Sequence, residues 1–173
     1  LADKINMKKA SNALIDFLGG VFTTALKVFG GHPFAFATAA VGSLPSFLGC
    51  VFAAIVGGDD GLRVSFALVA VFASSRFVMP KFTFPKYVKV FISALWGVLL
   101  AEVFGAFVYG YTFYENLLFA LSGLIGAVLA TAMEYAKNAR ETKKGDPNVF
   151  FISMIFSAAA VLCGMGFCGR LLS

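Results

Sequence analysis

Residues 33–57 read PFAFATAAVGSLPSFLGCVFAAIVG, and their reading decides the topology of the chain. The stretch is apolar throughout but is divided by Gly42-Ser43-Leu44-Pro45. Each half holds about 12 residues, short of the roughly 20 that one helical crossing of a bilayer needs. Either Pro45 kinks one helix, or there are two short helices forming a hairpin. The alternatives differ in parity, because one crossing and two crossings send every later loop to opposite sides.

Charge chooses between them. Outside this stretch the chain is a series of apolar blocks at about 13–29, 62–79, 87–109, 114–135 and 149–172. Gly30-Gly31-His32-Pro33 and Gly57-Gly58-Asp59-Asp60-Gly61 separate the early blocks. Pro80 and Pro85 bound the next loop, Gly110-Tyr111-Thr112 forms a tight turn, and 136–147 is the longest polar segment. Hydrophobic residues make up 60% of the chain and the mean hydropathy is +0.87, far above an ordinary soluble domain. Most of the 14 Lys and Arg fall in three clusters: Lys4/Lys8/Lys9, Arg76/Lys81/Lys86/Lys89 and Lys137/Arg140/Lys143/Lys144. With the first cluster inside, a single crossing by 33–57 leaves the other two basic loops outside. An even number of crossings brings both inside, with only Lys27, Arg63 and Arg170 on the outer side, as the positive-inside rule requires.

The expectation is therefore an all-α, polytopic membrane bundle of about seven apolar helices, two of them short, in one integral membrane domain over 1–173. Its amino terminus is cytoplasmic, and an odd helix count ends the chain outside. The chain begins at Leu1 and reads as an incomplete fragment of a larger bundle. No run has the strand period with polar lumen residues that a β-barrel needs. Tyr87, Tyr109, Tyr111, Tyr114 and Tyr135 stand at block ends, where an aromatic belt would lie. The 21 Phe read as lipid-facing or packing residues. The net charge of +5 sits in loops, which points to anionic headgroups and away from nucleic acid.

Few residues could carry chemistry. Cys50, Cys163 and Cys168 lie in apolar blocks without ligand spacing and read as small buried hydrophobes. His32 is the sole histidine and reads as a turn residue, since one histidine makes neither a triad nor a metal site. Asp59-Asp60 lacks calcium-loop spacing and reads as a polar turn. No phosphate-binding, zincin or nucleophile-elbow motif is present, so neither an enzyme nor a cofactor nor a metal is expected. Glu102 is the one acidic residue deep inside a block, a position that by default suggests function. No basic residue at similar depth offers itself as its partner. Gly97, Ala101 and Gly105 form a small-residue ridge, and Ser122, Gly126 and Ala130 form another. Such ridges let helix backbones approach closely and suit packing or self-association. If the two face each other, Gly105→Leu disrupts the pair.

Three stretches carry a resemblance. His32-Pro33-Phe34-Ala35-Phe36-Ala37 looks like a Pro-Phe-Gly/Ala-x-Ala-Phe stretch, and Gly57-Gly58-Asp59-Asp60-Gly61-Leu62-Arg63 looks like a glycine-rich turn into a helix. With the block lengths of 88–136, these resemble the amino-terminal membrane region of the stage II sporulation protein E family over roughly 13–135. That family consists of bacterial membrane-anchored serine phosphatases. The resemblance implies a ten-helix bundle, a cytoplasmic linker contacting division-septum proteins, and a metal-dependent phosphatase domain of the PP2C type. That domain acts on a phosphorylated anti-anti-sigma factor. The chain departs from the pattern in having about seven helices and no linker or phosphatase domain, and the family's metal-binding aspartates have no counterparts.

The expected function is a non-catalytic membrane anchor for localisation and self-association of a sporulation-type phosphatase in the bacterial cell membrane. The alternative is a small transporter or channel subunit. There, interrupted segments such as 33–57 expose helix ends to a substrate and Glu102 is the intramembrane polar site. A lipid-acting enzyme needs a polar cluster at the membrane boundary, which the basic loops do not supply.

Overall fold

The computed structural model describes residues 2–28, 31–58, 60–108 and 110–142. Six α-helices are found among them: α1 (Ala2–Ala25), α2 (Pro33–Val41), α3 (Leu44–Val56), α4 (Gly61–Ala73), α5 (Lys86–Val108) and α6 (Phe113–Thr142). No strand forms among the described residues. α4 continues through a π-helical turn, Ser74–Val78, and a 3-10 turn, Met79–Lys81. Pro80 has no N–H to give the carbonyl four residues earlier, and the helix widens before it stops.

Residues 33–57 form two short helices. The Gly42 N–H donates to the Thr38 carbonyl at 2.7 Å and closes α2. The Ser43 hydroxyl accepts from the Ser46 N–H and opens α3, with Pro45 in the first turn, where its missing donor costs nothing. At 1.5 Å per residue, α2 is only about 14 Å long and α3 about 20 Å. Among the described residues three helices are long and apolar enough to cross a membrane: Gly61–Lys81, Lys86–Val108 and Phe113–Asn138.

Three boundaries differ from expectation, both ends of α1 and the end of α6. α1 starts within the basic tail and ends at Ala25 instead of running to 29. In a continued helix the Thr24 carbonyl would accept from the Val28 N–H. His32 Nδ1 sits 2.7 Å from that carbonyl, and the Val28 N–H donates to Gly31 at 2.9 Å. α6 runs on to Thr142, through half of the segment expected to be a loop. Residues 136–142 are mostly helix formers, and no Gly or Pro interrupts before Gly145. The seventh expected block at 149–172, with Cys163, Cys168 and Arg170, lies outside the described residues, as do Lys143 and Lys144.

The helices alternate in direction. Ala40 and Val41 at the end of α2 meet Arg76, Lys86, Lys89 and Lys137 around one cleft. Thr24, Lys27, His32, Gly57 and Asp60 surround another at the opposite end. Tyr111 belongs to the second end, its hydroxyl donating to Asp60 Oδ1 at 2.7 Å. The loops after α4 and the far end of α6 thus share one end of the bundle, as the even-crossing reading requires. α1 and α3 run parallel: Asp16 Oδ2 accepts from Ser43 at 2.6 Å, and further along Thr23 approaches Cys50 at 3.6 Å. They touch through Gly20 and Gly49, where a Cβ would run into Ser46 and Phe17 backbone.

Size is distributed inside out. The interior is rich in Ala, with Ala35, Ala37, Ala39, Ala67, Ala94, Ala101 and Ala127 fully buried. Phe36 on α2 is the largest side chain completely enclosed, packed edge-on against Phe119. Leu, Ile and Phe line the exterior, with Phe107 87% and Phe113 83% exposed. A bundle relying on water to drive its large side chains inward would have the reverse arrangement.

Candidate functional site: an arginine clamp between three helices

Arg63 sits in the first turn of α4 yet is only 3% exposed. Its Nη2 donates to Glu102 Oε2 of α5 at 3.0 Å and to Asn116 Oδ1 of α6 at 2.6 Å. The guanidinium carbon lies 4.4 Å from the Tyr111 ring centre and 4.1 Å from that of Phe119. The charge therefore meets an opposite charge, an amide oxygen and two aromatic rings, a set suited to a buried guanidinium. Gly105 makes the space: a Cβ there would stand 3.0 Å from Arg63 Nε and 3.2 Å from Tyr111.

This corrects the expectation that Glu102 lacks a partner. Arg63 stands at the very start of the block 62–79, and its long side chain reaches inward from that end of α4. Glu102 is also shallower than its place in an apolar block suggests, less than two turns before Val108, or about 9 Å along the axis. The signal available in the sequence was an arginine inside the first turn of an apolar block. Such a residue needs a partner, and Glu102 is the unclaimed acid nearest the same end. Asn116, Tyr111 and Phe119 carried no signal of their own.

The pair is not fully satisfied. Arg63 Nε and Glu102 Oε1 are buried without hydrogen-bond partners, as is Ser65 Oγ elsewhere on α4. Glu115 is separate from the clamp and closes a capping box with Thr112. Its carboxylate accepts from the Thr112 N–H and hydroxyl, both at 2.8 Å, and its N–H donates to Thr112 Oγ1 at 3.3 Å.

His32 lines the cleft of about 400 Å³ at this end, with Lys27 and Asp60. Burial holds its imidazole below the ordinary value, against the opposing pull of the Thr24 carbonyl. Among the described residues no three His, Cys, Asp or Glu come together as a metal site. Cys50 is a buried free thiol within reach of the Gly20 carbonyl at 3.4 Å.

The two small-residue ridges do not face each other. A Cβ on Gly97 would meet Val71 of α4, backbone N at 2.5 Å, and Gly105 faces Arg63. Gly126 faces Pro33 and Phe36 of α2, and Ser122 faces Gly31. Ala101 and Ala130 are buried on the same faces. α5 and α6 instead approach through Gly123 against Val98. Both ridges are thus used within the chain.

Fold and site together define an all-α bundle with an Ala-rich interior, an apolar exterior and an ion-pair clamp near one end. No family model matches the chain, and no curated protein or solved structure matches it.

Proposed function

We propose that the chain is a non-catalytic, multi-pass membrane module that anchors a signalling protein, with its basic end facing the cytoplasm. The observation that carries this reading is the inverted packing: an Ala-rich interior, Leu and Phe outside, and most of the described cations at one end, with Lys27 and Arg63 at the other. Water does not favour such an exterior, whereas lipid tails do. The clamp fits an anchor, because it ties α4, α5 and α6 together by side chains that face one another. Attachment to a sporulation-type phosphatase, and hence a place among division-septum proteins, rests on the sequence resemblance alone. Self-association belongs to the same reading but needs a surface other than the two ridges, which are occupied. A fluorescent fusion followed through division tests the proposal. The fusion is expected to withstand alkaline extraction of the membrane and to concentrate at the septum. Release by alkali would overturn the anchor, and an even distribution over the membrane would overturn the septal assignment.

A second reading, a small transporter or channel subunit, is favoured by one observation: the unpartnered Glu102 Oε1 and Arg63 Nε could meet a polar solute. A solute-dependent thermal shift lost in Glu102→Gln would support it.

A further inference from the structure

Arg76, Lys86, Lys89 and Lys137 come from three separate elements and line one cleft of about 310 Å³ at the basic end of the bundle. The π-helical turn that follows α4 contributes Arg76 and Ser75, the first turn of α5 contributes both lysines, and α6 contributes the last. Glu134 is the one acidic residue lining it among the described residues. None of the four cations makes an ion pair among the described residues. Arg76 is held in place by the Gly42 carbonyl at the end of α2. Lys86 and Lys89 carry positive charge at the amino-terminal end of α5, where the helix dipole is itself positive and no acidic side chain offsets it. Charges that only had to face water could spread over the outer loop surface. Here Arg76, Lys86 and Lys137 stay exposed and Lys89 is half-buried, yet all four border one recess bounded by the end of the buried helix α2.

We propose that this cleft binds a phosphate group, carried either by the headgroup of an anionic phospholipid or by a soluble phosphate. Four cations against one carboxylate leave an excess that a phosphate neutralises. Lysines suit a ligand held as a point charge, and Arg76 adds a directional donor. The phospholipid source rests on the membrane reading above, whereas the soluble source does not.

The test uses the full chain purified in detergent. Native mass spectrometry compares retention of phosphatidylglycerol with phosphatidylcholine, and thermal shifts compare sodium phosphate with sodium chloride at equal ionic strength. The expected result is a preference for phosphatidylglycerol of about tenfold or more, given the worth of basic residues near anionic lipid. Lys86→Gln/Lys89→Gln should bring that ratio close to one. Lys8→Gln/Lys9→Gln, which removes two exposed cations that do not line the cleft, should leave it unchanged. Phosphate that stabilises the protein and displaces the lipid supports recognition of the phosphate group itself. A response to lipid only assigns the headgroup, and a response to phosphate only assigns a soluble anion. No preference in either arm, or an equal loss in the Lys8/Lys9 variant, overturns the proposal. Alkaline extraction reports separately on the membrane anchor, so failure of one is not failure of the other.

Discussion

Arg63 shows how far one side chain can organise a helical bundle. Its charge is removed from water and returned to Glu102, Asn116 and two rings, so removing either member of the pair leaves the other without its counter-ion. Removing one partner of such a pair typically costs roughly 3–5 kcal/mol, while replacing both by apolar groups costs much less. Arg63→Leu and Glu102→Leu are each expected to lower unfolding stability by about that amount. Arg63→Leu/Glu102→Leu should recover most of it, read as a double-mutant cycle on the purified protein. Additive losses would mean that the two residues do not act as a pair. The sequence marked Glu102 as costly and misjudged its isolation. A side chain's reach inward from a helix end depends on where the next helix stands, which residue spacing does not carry. His32 is the converse case. Its turn position was legible, but its bond to the Thr24 carbonyl, which fixes where α1 ends, required the fold.

At the scale of elements, capping and small residues set the arrangement. Ser43 caps α3 and a capping box from Thr112 to Glu115 opens α6; from residue spacing these stretches read only as a break and a tight turn. Loss of such a cap costs about 0.5–2 kcal/mol, and Thr112→Ala should destabilise the protein within that range in a thermal or chemical melt. The ridges were legible as ridges but not as partners. Gly97 admits the Val71 backbone of α4, so Gly97→Leu should force α5 away from α4 and cost about 1–3 kcal/mol or more. Gly19 has nothing within 4 Å of a built Cβ, and Gly19→Leu should stay within roughly 0.5 kcal/mol of the parent in the same melt. Comparable losses at both positions would remove the distinction between a packed and an open glycine.

For the whole molecule, alternation of helix direction puts Lys81, Lys86, Lys89 and Lys137 at one end and Asp60, Tyr111 and His32 at the other. Single cysteines introduced at Lys81 and at Gly110 in a Cys50→Ala background, where other cysteines are also replaced, test this in sealed inverted and right-side-out vesicles. An impermeant thiol reagent should label the Lys81 position only from the cytoplasmic face and the Gly110 position only from the other. Labelling of both from one face would exclude the alternating topology. α2 lies at the centre of this arrangement, too short to span and buried almost completely, with a cleft at each of its ends. Its shortness gives the basic cations a recess to line.

The sequence alone determined the helical class, the break at Gly42-Ser43 with a short helix on each side, and the basic end. Each of these follows from local composition, from the Gly and Pro residues that interrupt helices, or from charge counted along the chain. The tertiary structure decided what faces what. It paired Arg63 with Glu102, set one ridge against α4 and the other against α2, sank α2 into the core and drew four cations to one cleft. Contacts between helices depend on how the helices rotate and tilt against one another. That is settled by the packing of all of them at once, and no single segment encodes it.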